Sequence, residues 1–309
     1  MKNNSKYWHS NGKLLITGEY LVLEGATAFA IPINKGQSLE VFKTEEKASL
    51  LWTAEHENGN WFYAKLSLPN LEILETDNEE ISKYLVRILN KTKDINPNFL
   101  VKADGLKVET KLEFLPKHGL GSSSTLINNL AMWAEVDAFD LQKATFKGSG
   151  YDIACAKHSK PLFFKINDNE IFIKETIFNP DFSDQVYFVY LGKKQKSLES
   201  IKDFRQNANY TNLEIEEISE ISKALINCQN LDEFERLIET HEEIMSKVLG
   251  RPTIKQLMFS DFEGSVKSLG GWGGDFVMMT NRLDKIDFYD YLAKKGLDTF
   301  YTYNELLIK

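Results

Sequence analysis

Residues 115–125 read Leu-Pro-Lys-His-Gly-Leu-Gly-Ser-Ser-Ser-Thr, a glycine-broken loop running into a serine cluster. Behind it Leu126, Ile127, Leu130, Ala131, Trp133 and Ala134 recur at helical spacing, which sets the serines at a helix N-terminus. The amides of a first helical turn lack intrahelical partners and the helix dipole is positive there, so the place suits a phosphate. Glycines let the backbone approach an anion closely, and the hydroxyls can cap the helix, bind phosphate or ligate Mg²⁺. An ordinary capped helix after a turn has the same pattern, and the loop alone leaves both readings open. Two further glycine turns stand at 148–150 and 270–274. The chain has no Gly-x-x-x-x-Gly-Lys-Ser/Thr, and Ser124 replaces the third glycine of a dinucleotide fingerprint. It also lacks a Gly-x-Ser-x-Gly elbow and a His-Glu-x-x-His helix.

Several titratable residues sit where they could serve such loops. Asp152 follows the second glycine turn, as a candidate base or as a helix N-cap. Lys13 opens a strand-like run, where a lone lysine reads as solvated charge. His241 falls on an apolar helical stripe, which fits a hydrogen-bonded core histidine as well as a ligand. Lys193, Lys194, Lys196 and Ser197 follow a strand end, either as a basic loop for an anion or as a solvated run.

The elements that must carry these residues alternate irregularly. Residues 13–23 read as two short strands broken at Gly18, and 29–33, 37–43, 49–54 and 60–66 as further strands. Asn58-Gly59 makes a hairpin turn. From Asp77 the period becomes helical, with Asp77 and Glu80 spaced as a capping box. Strand 106–114, the serine-loop helix at 124–137 and a helix opened by Gly148-Ser-Gly-Tyr-Asp152 follow. Strands are expected at 161–166, 170–177 and 185–191, then a helix capped at Asn230 and ended by Gly250. A strand, glycine turn and strand over 264–280, a helix at 284–295 and a strand at 297–303 complete the chain. The class is α+β, with a domain boundary at Asn179-Pro180.

The 309 residues carry 42% apolar and 27% charged side chains and a net charge of −8. That charge argues against a nucleic-acid or anionic-membrane binder, so an anionic ligand needs local positive charge. Cys155 and Cys228 form no metal or redox spacing, the N-terminus lacks a signal-peptide core, and no apolar run is long enough to span a membrane. A reducing cytoplasm fits.

Taken together, the segments resemble the motifs of the GHMP small-molecule kinases. Lys13-Leu-Leu-Ile-Thr-Gly-Glu-Tyr-Leu-Val-Leu-Glu-Gly25 is similar to the first motif, Gly119-Leu-Gly-Ser-Ser-Ser124 to the phosphate loop and Ser268-Leu-Gly-Gly-Trp-Gly-Gly-Asp275 to the third. Gly148-Ser-Gly-Tyr-Asp-Ile-Ala154 resembles the catalytic-aspartate segment in its phosphomevalonate kinase form. The motifs stand in family order and span most of the chain.

The resemblance implies two domains, 1–180 and 181–309: an N-terminal mixed β/α domain with a left-handed β-α-β crossover and a ferredoxin-like C-terminal α/β sandwich. It implies ATP and Mg²⁺ as cofactors and Asp152 as base, with Lys13 beside it to keep it ionised and to stabilise the transferring phosphoryl group. Gly119, Leu120, Gly121, Ser122, Ser123 and Ser124 would hold the β/γ-phosphates, with Ser123 on Mg²⁺, and Gly271, Gly273 and Gly274 would close the site. Glu19, Tyr20, Lys194, Ser197, His241 and Asp275 are the candidates for the acceptor, and Asp275 equally reads as a turn cap. The implied reaction is ATP-dependent phosphoryl transfer to a small isoprenoid precursor, 5-phosphomevalonate first and the hydroxyl of mevalonate second. A non-catalytic nucleotide or metabolite binder is the remaining alternative, and a homodimer is among the assemblies allowed. Two departures stand out: no clear second acidic Mg²⁺ ligand precedes Asp152, with Glu135 and Asp140 merely nearest, and Trp272 occupies a position usually small, where it would narrow the nucleotide pocket.

Overall fold

A computed structural model describes residues 5–146, 148–168, 170–193 and 197–308. The chain groups into two compact units, one of residues 1–12, 35–116 and 120–157, the other of 13–34, 117–119 and 158–309. Packing therefore interleaves the chain, whereas the expected boundary at Pro180 is a single cut.

Strand β1 (Lys6–Thr17) crosses from the first unit to the second, and β2 (Ala28–Lys43) crosses back. Between them the structure departs from the sequence reading. Gly18 (φ +88°) and Tyr20 (φ +58°) turn the chain, and Leu21–Glu24 form a 3₁₀ helix in place of a second short strand. The apolar run Leu21-Val22-Leu23 imitates a buried strand, yet Leu21 and Val22 are buried from a helical turn. Glycine is required at 18, because a Cβ there would come within 2.7 Å of the Ala28 Cα.

In the first unit, β3 (Ser49–His56) and β4 (Gly59–Ser67) form the hairpin that Asn58-Gly59 announces, and β5 (Ile73–Thr76) pairs antiparallel with β4. Helix α1 (Glu79–Ile95) then carries the chain over to β6 (Gly105–Leu112), which lies parallel to β3 with Trp52 opposite Val108. Parallel neighbours need such a crossover. The N-cap of α1 is Asn78, whose side chain accepts from the Ile81 amide, and not the expected Asp77. Asp77 stands one residue early and accepts from the Tyr63 amide on β4. The C-terminal part of β2 pairs antiparallel with β6, giving the order β5-β4-β3-β6-β2. Helices α2 (Ser122–Ala134), α3 (Ala138–Thr145) and α4 (Tyr151–Lys157) complete the unit. Its core joins Leu39, Trp52 and Val108 of the strands to Leu85, Ile127 and Leu141 of the helices.

In the second unit, residues 28–30 of β2 pair with β7 (Leu162–Asn167), which pairs with β8 (Glu170–Glu175). After β9 (Val186–Tyr190) come helices α5 (Ser197–Asn207), α6 (Asn212–Leu225), α7 (Leu231–Leu249) and α8 (Ile254–Met258). Strands β10 (Val266–Ser268) and β11 (Phe276–Thr280), helix α9 (Lys285–Lys294), strand β12 (Phe300–Thr302) and helix α10 (Tyr303–Leu306) end the chain. The antiparallel order β10-β11-β9-β12 is the ferredoxin-like arrangement expected of the C-terminal part. Tyr187, Val189, Val277 and Met279 pack there on Phe288 and Leu292 of α9. Asn230 caps α7 and Gly250 (φ +61°) ends it, as the sequence indicates. No helix among the described residues is long and apolar enough to cross a membrane.

Candidate active site

The phosphate-loop candidate is built on the N-terminus of α2. Gly121 sits ahead of the helix in the left-handed region (φ 100°) and offers no side-chain cap, so the amides of Ser122, Ser123 and Ser124 form the uncapped first turn. The three serines differ. Ser124 is buried and its hydroxyl donates back to the Gly121 carbonyl at 2.9 Å, while Ser122 is half-buried and Ser123 exposed. Thr125 locks the loop from behind, donating to Gln37 Oε1 at 2.8 Å with its amide on Gly121 O at 2.9 Å. The Ser123 hydroxyl engages the Tyr84 phenol. Beside it lies a cavity of about 100 Å³ walled by Trp52, Trp61, Tyr84 and Pro116, with Ser122 and Ser123 at its edge.

Asp152 belongs to the same unit. Gly150 (φ +98°) makes the turn ahead of α4, and Asp152 is the helix's second residue, half-buried, with Oδ1 accepting from the Ile153 amide at 3.2 Å. Asn128 ties α2 to α4 by donating to the Ala156 carbonyl at 3.3 Å, and also donates to Ser10 Oγ at 2.9 Å. The serine loop and Asp152 are thus carried by two helices pinned to each other. Glu135 ends α2 in the left-handed region (φ 55°) and Asp140 lies in the first turn of α3. Among the described residues, no group of three or more His, Cys, Asp or Glu side chains is arranged to hold a metal.

The second unit holds Lys13, half-buried in β1. Glu19 is almost fully buried in the turn that follows. Its Oε1 accepts from Lys267 Nζ at 2.6 Å, and its Oε2 lies 3.1 Å from His241 Nε2. Lys267, wholly buried on β10, also donates to the Ser268 carbonyl at 2.9 Å. Burial alone would push the Glu19 carboxyl up; Lys267 and His241 outweigh it and hold Glu19 below its ordinary value. Burial, reinforced by Lys267, drives His241 down to about 4, so the ring is neutral at pH 7. Its Nε2 also lies 3.2 Å from the Gly18 amide. One ring nitrogen accepts from that amide or donates to Glu19, and the tautomer decides which. His241 is therefore a buried partner of Glu19.

Tyr20 is held on both sides. Its ring stacks on Phe204 at 5.3 Å, and its hydroxyl accepts from the Trp272 amide at 3.1 Å. This fastens the turn after β1 to the third glycine loop, in which Gly274 donates to the Gly271 carbonyl and Gly273 has φ +82°. Trp272, expected to crowd a nucleotide, is buried within its unit, with Nε1 on the Pro252 carbonyl at 3.3 Å. Asp275 (φ +52°) donates its amide to Lys193 O, and its carboxylate covers Gly119, where a Cβ would come 2.6 Å from Asp275 Cγ. Lys194 lies outside the described residues. Ser197 opens α5, and its side chain lies outside them too.

Two residues escaped the sequence reading, Lys267 and Glu242. Glu242 lies on α7 four residues after Ile238 and three before Met245, so the stripe that includes His241 also admits it. Lys267 is the middle residue of β10 (Val-Lys-Ser), all three residues of which are buried. An acid on a buried stripe and a lysine inside a buried strand were the available signal, because such groups are buried only when paired.

No family model matches the chain. Its sequence is 24% identical to a phosphomevalonate kinase of Saccharolobus solfataricus, over 93% of each chain. The fold is that of a mevalonate kinase of Methanococcus jannaschii, with a TM-score of 0.71 at 18% identity, covering 97% of this chain and 98% of the other. A phosphomevalonate kinase of Streptococcus pneumoniae, solved with phosphomevalonate and AMPPNP, gives a TM-score of 0.70 at 15% identity over 96% and 99%. Sequence and fold thus agree with the resemblance to GHMP small-molecule kinases that the motifs carry, and these relatives are kinases.

Proposed function

We propose that this chain is an ATP- and Mg²⁺-dependent kinase that transfers the γ-phosphoryl group to 5-phosphomevalonate. The observation that carries the reading is the match to a phosphomevalonate kinase over 93% of both chains. The uncapped amides of Ser122, Ser123 and Ser124 suit the β/γ-phosphates, with Gly119, Leu120 and Gly121 assigned to the same loop, and Gly271, Gly273 and Gly274 are assigned to the nucleotide. The aromatic-walled cavity beside Ser122 and Ser123 suits the adenine ring. Mg²⁺ takes few protein ligands when phosphates supply the rest, so one exposed hydroxyl, Ser123, fits its chemistry. The metal neutralises charge on the transferring group when bound.

Lys13 is assigned to the charge that develops on that group, and Asp152 to the acceptor oxygen. Tyr20, Lys194, Ser197 and Asp275 are assigned to the acceptor side, with Glu19 and His241 supporting the turn from inside. Residues 1–180 and 181–309 are the proposed domains, cytoplasm the proposed compartment and a homodimer the proposed assembly. Mevalonate is the second reading, favoured by the mevalonate kinase neighbour and by an aspartate available to take a hydroxyl proton.

Coupled ADP release with Mg·ATP, offering 5-phosphomevalonate and mevalonate separately, tests the proposal. Turnover on 5-phosphomevalonate is expected; turnover on mevalonate alone replaces the acceptor, and turnover on neither overturns the kinase reading. Asp152→Ala should cost about two orders of magnitude or more on a hydroxyl acceptor, and much less on an already ionised phosphate.

A further inference from the structure

Glu242 is 3% exposed, and neither of its carboxyl oxygens makes a hydrogen bond. Oε1 stands 3.8 Å from Lys267 Nζ, whereas Glu19 holds the same ammonium at 2.6 Å. The charged groups that face it are Lys267 from β10 and Glu19 from the turn after β1, while His241 precedes it on α7 and meets Glu19. The amides of Ser268 and Ile254 also face it without completing a bond. Two carboxyl groups thus compete for one buried lysine. The turn that Lys267 fixes through Glu19 also carries Tyr20 and the Gly18 amide, which reach the third glycine loop and His241.

We propose that Glu242 is a positioning residue for the turn Gly18–Tyr20: while it carries its proton Lys267 stays on Glu19, and loss of that proton to solvent draws Lys267 towards α7 and loosens the turn. The role rests on the kinase reading above, because it makes the turn an acceptor-side element. Burial pushes the Glu242 carboxyl up to about 8, with Lys267 opposing and Glu19 adding, so the proton is held at pH 7. The sign follows. The unfolded chain releases this proton from about pH 4.5 and the folded chain only near 8, so Glu242 costs stability increasingly between those values and no further above.

The test compares the full-length protein with Glu242→Gln, which keeps the shape and removes the titration. The variant's advantage in melting temperature should widen between pH 5 and 8 and level off beyond; a gap independent of pH overturns the proposal. Hydrogen exchange of residues 14–24, corrected for its intrinsic pH dependence, should quicken at least threefold in the parent between pH 7.5 and 9 but not in the variant. Equal profiles overturn it. The acceptor KM of the parent should rise about tenfold over that range, as the competent fraction falls to roughly a tenth. The variant should lose most of that rise, with the KM for ATP unaffected in both. A widening stability gap with identical KM profiles makes Glu242 a buried acid with no positioning role. Absence of turnover in the parent sinks the kinase reading, while the melting and exchange data still decide the role of Glu242. Should Glu242→Gln not fold, the parent's exchange profile decides, through an inflection near pH 8 or none.

Discussion

The start of α2 and the Glu19 cluster are both dense in polar groups, and they use them in opposite ways. At α2 the first-turn amides are uncapped and the exposed Ser123 leads, so hydrogen-bonding capacity faces outward for a ligand. At Glu19 a lysine, a histidine and two carboxyls are sealed from water and answer one another. An anion site made of backbone dipoles is neutral when empty and carries little desolvation cost. Buried formal charges are stable only while each has its partner.

Lys267→Met should break the contrast most severely, because it leaves Glu19 buried with its main counter-charge gone. A loss of about 3–5 kcal/mol is expected in denaturant unfolding. A loss below about 1 kcal/mol would show that water reaches the cluster. Acid should come next. His241 is depressed from 6.5 to about 4, so the stability it contributes is complete above 6.5 and is lost as pH falls towards 4. Glu19, held below 4.5, adds its own loss at still lower pH. The melting temperature should therefore drop steeply between pH 6.5 and 4, and His241→Gln should flatten that limb; an unaltered limb would assign it to other groups. The serine pair sharpens the comparison at the smallest scale. Ser124→Ala removes an internal bond and should cost about 1 kcal/mol of stability with little change in the KM for Mg·ATP. Ser123→Ala should weigh mainly on the ligand, raising that KM several-fold while costing less stability than Ser124→Ala, since its contact with the Tyr84 phenol starts from an exposed residue. Interchange of the two results would misassign the hydroxyls.

The start of α2 was readable in the sequence because its signals are local: glycines at fixed spacing, a serine run and a helical stripe. The same holds for the β3–β4 hairpin and the caps of α7. The turn at Gly18–Glu24 was not readable, since Leu21-Val22-Leu23 fits a buried strand as well as a 3₁₀ turn, and only Gly18 against Ala28 decides between them. Lys267 and Glu242 went unseen for a related reason. Their meaning lies in a meeting of β10, α7 and the turn after β1, residues more than two hundred positions apart in the case of Glu19 and Lys267. His241 was visible as a stripe residue, but its role as a neutral partner of Glu19 needed the third dimension.

The interleaving of the two units has a consequence for synthesis. The chain passes between them at 12/13, 34/35, 116/117, 119/120 and 157/158, so no single cut releases a whole unit. The first unit has all its residues once position 157 has been made. Residues 13–34, among them the wholly apolar stretch Ala28–Ile31, have left the ribosome by then, while the partners β7, α6, α7 and β10 have not yet been translated. Its strand neighbour β7 follows within about ten residues, whereas the elements up to β10 need roughly a hundred more, several seconds or more at usual elongation rates, so the stretch gains its pairing early and the rest of its unit late. The nascent chain, more than the finished protein, is where chaperone dependence and the damage of core mutations should be sought.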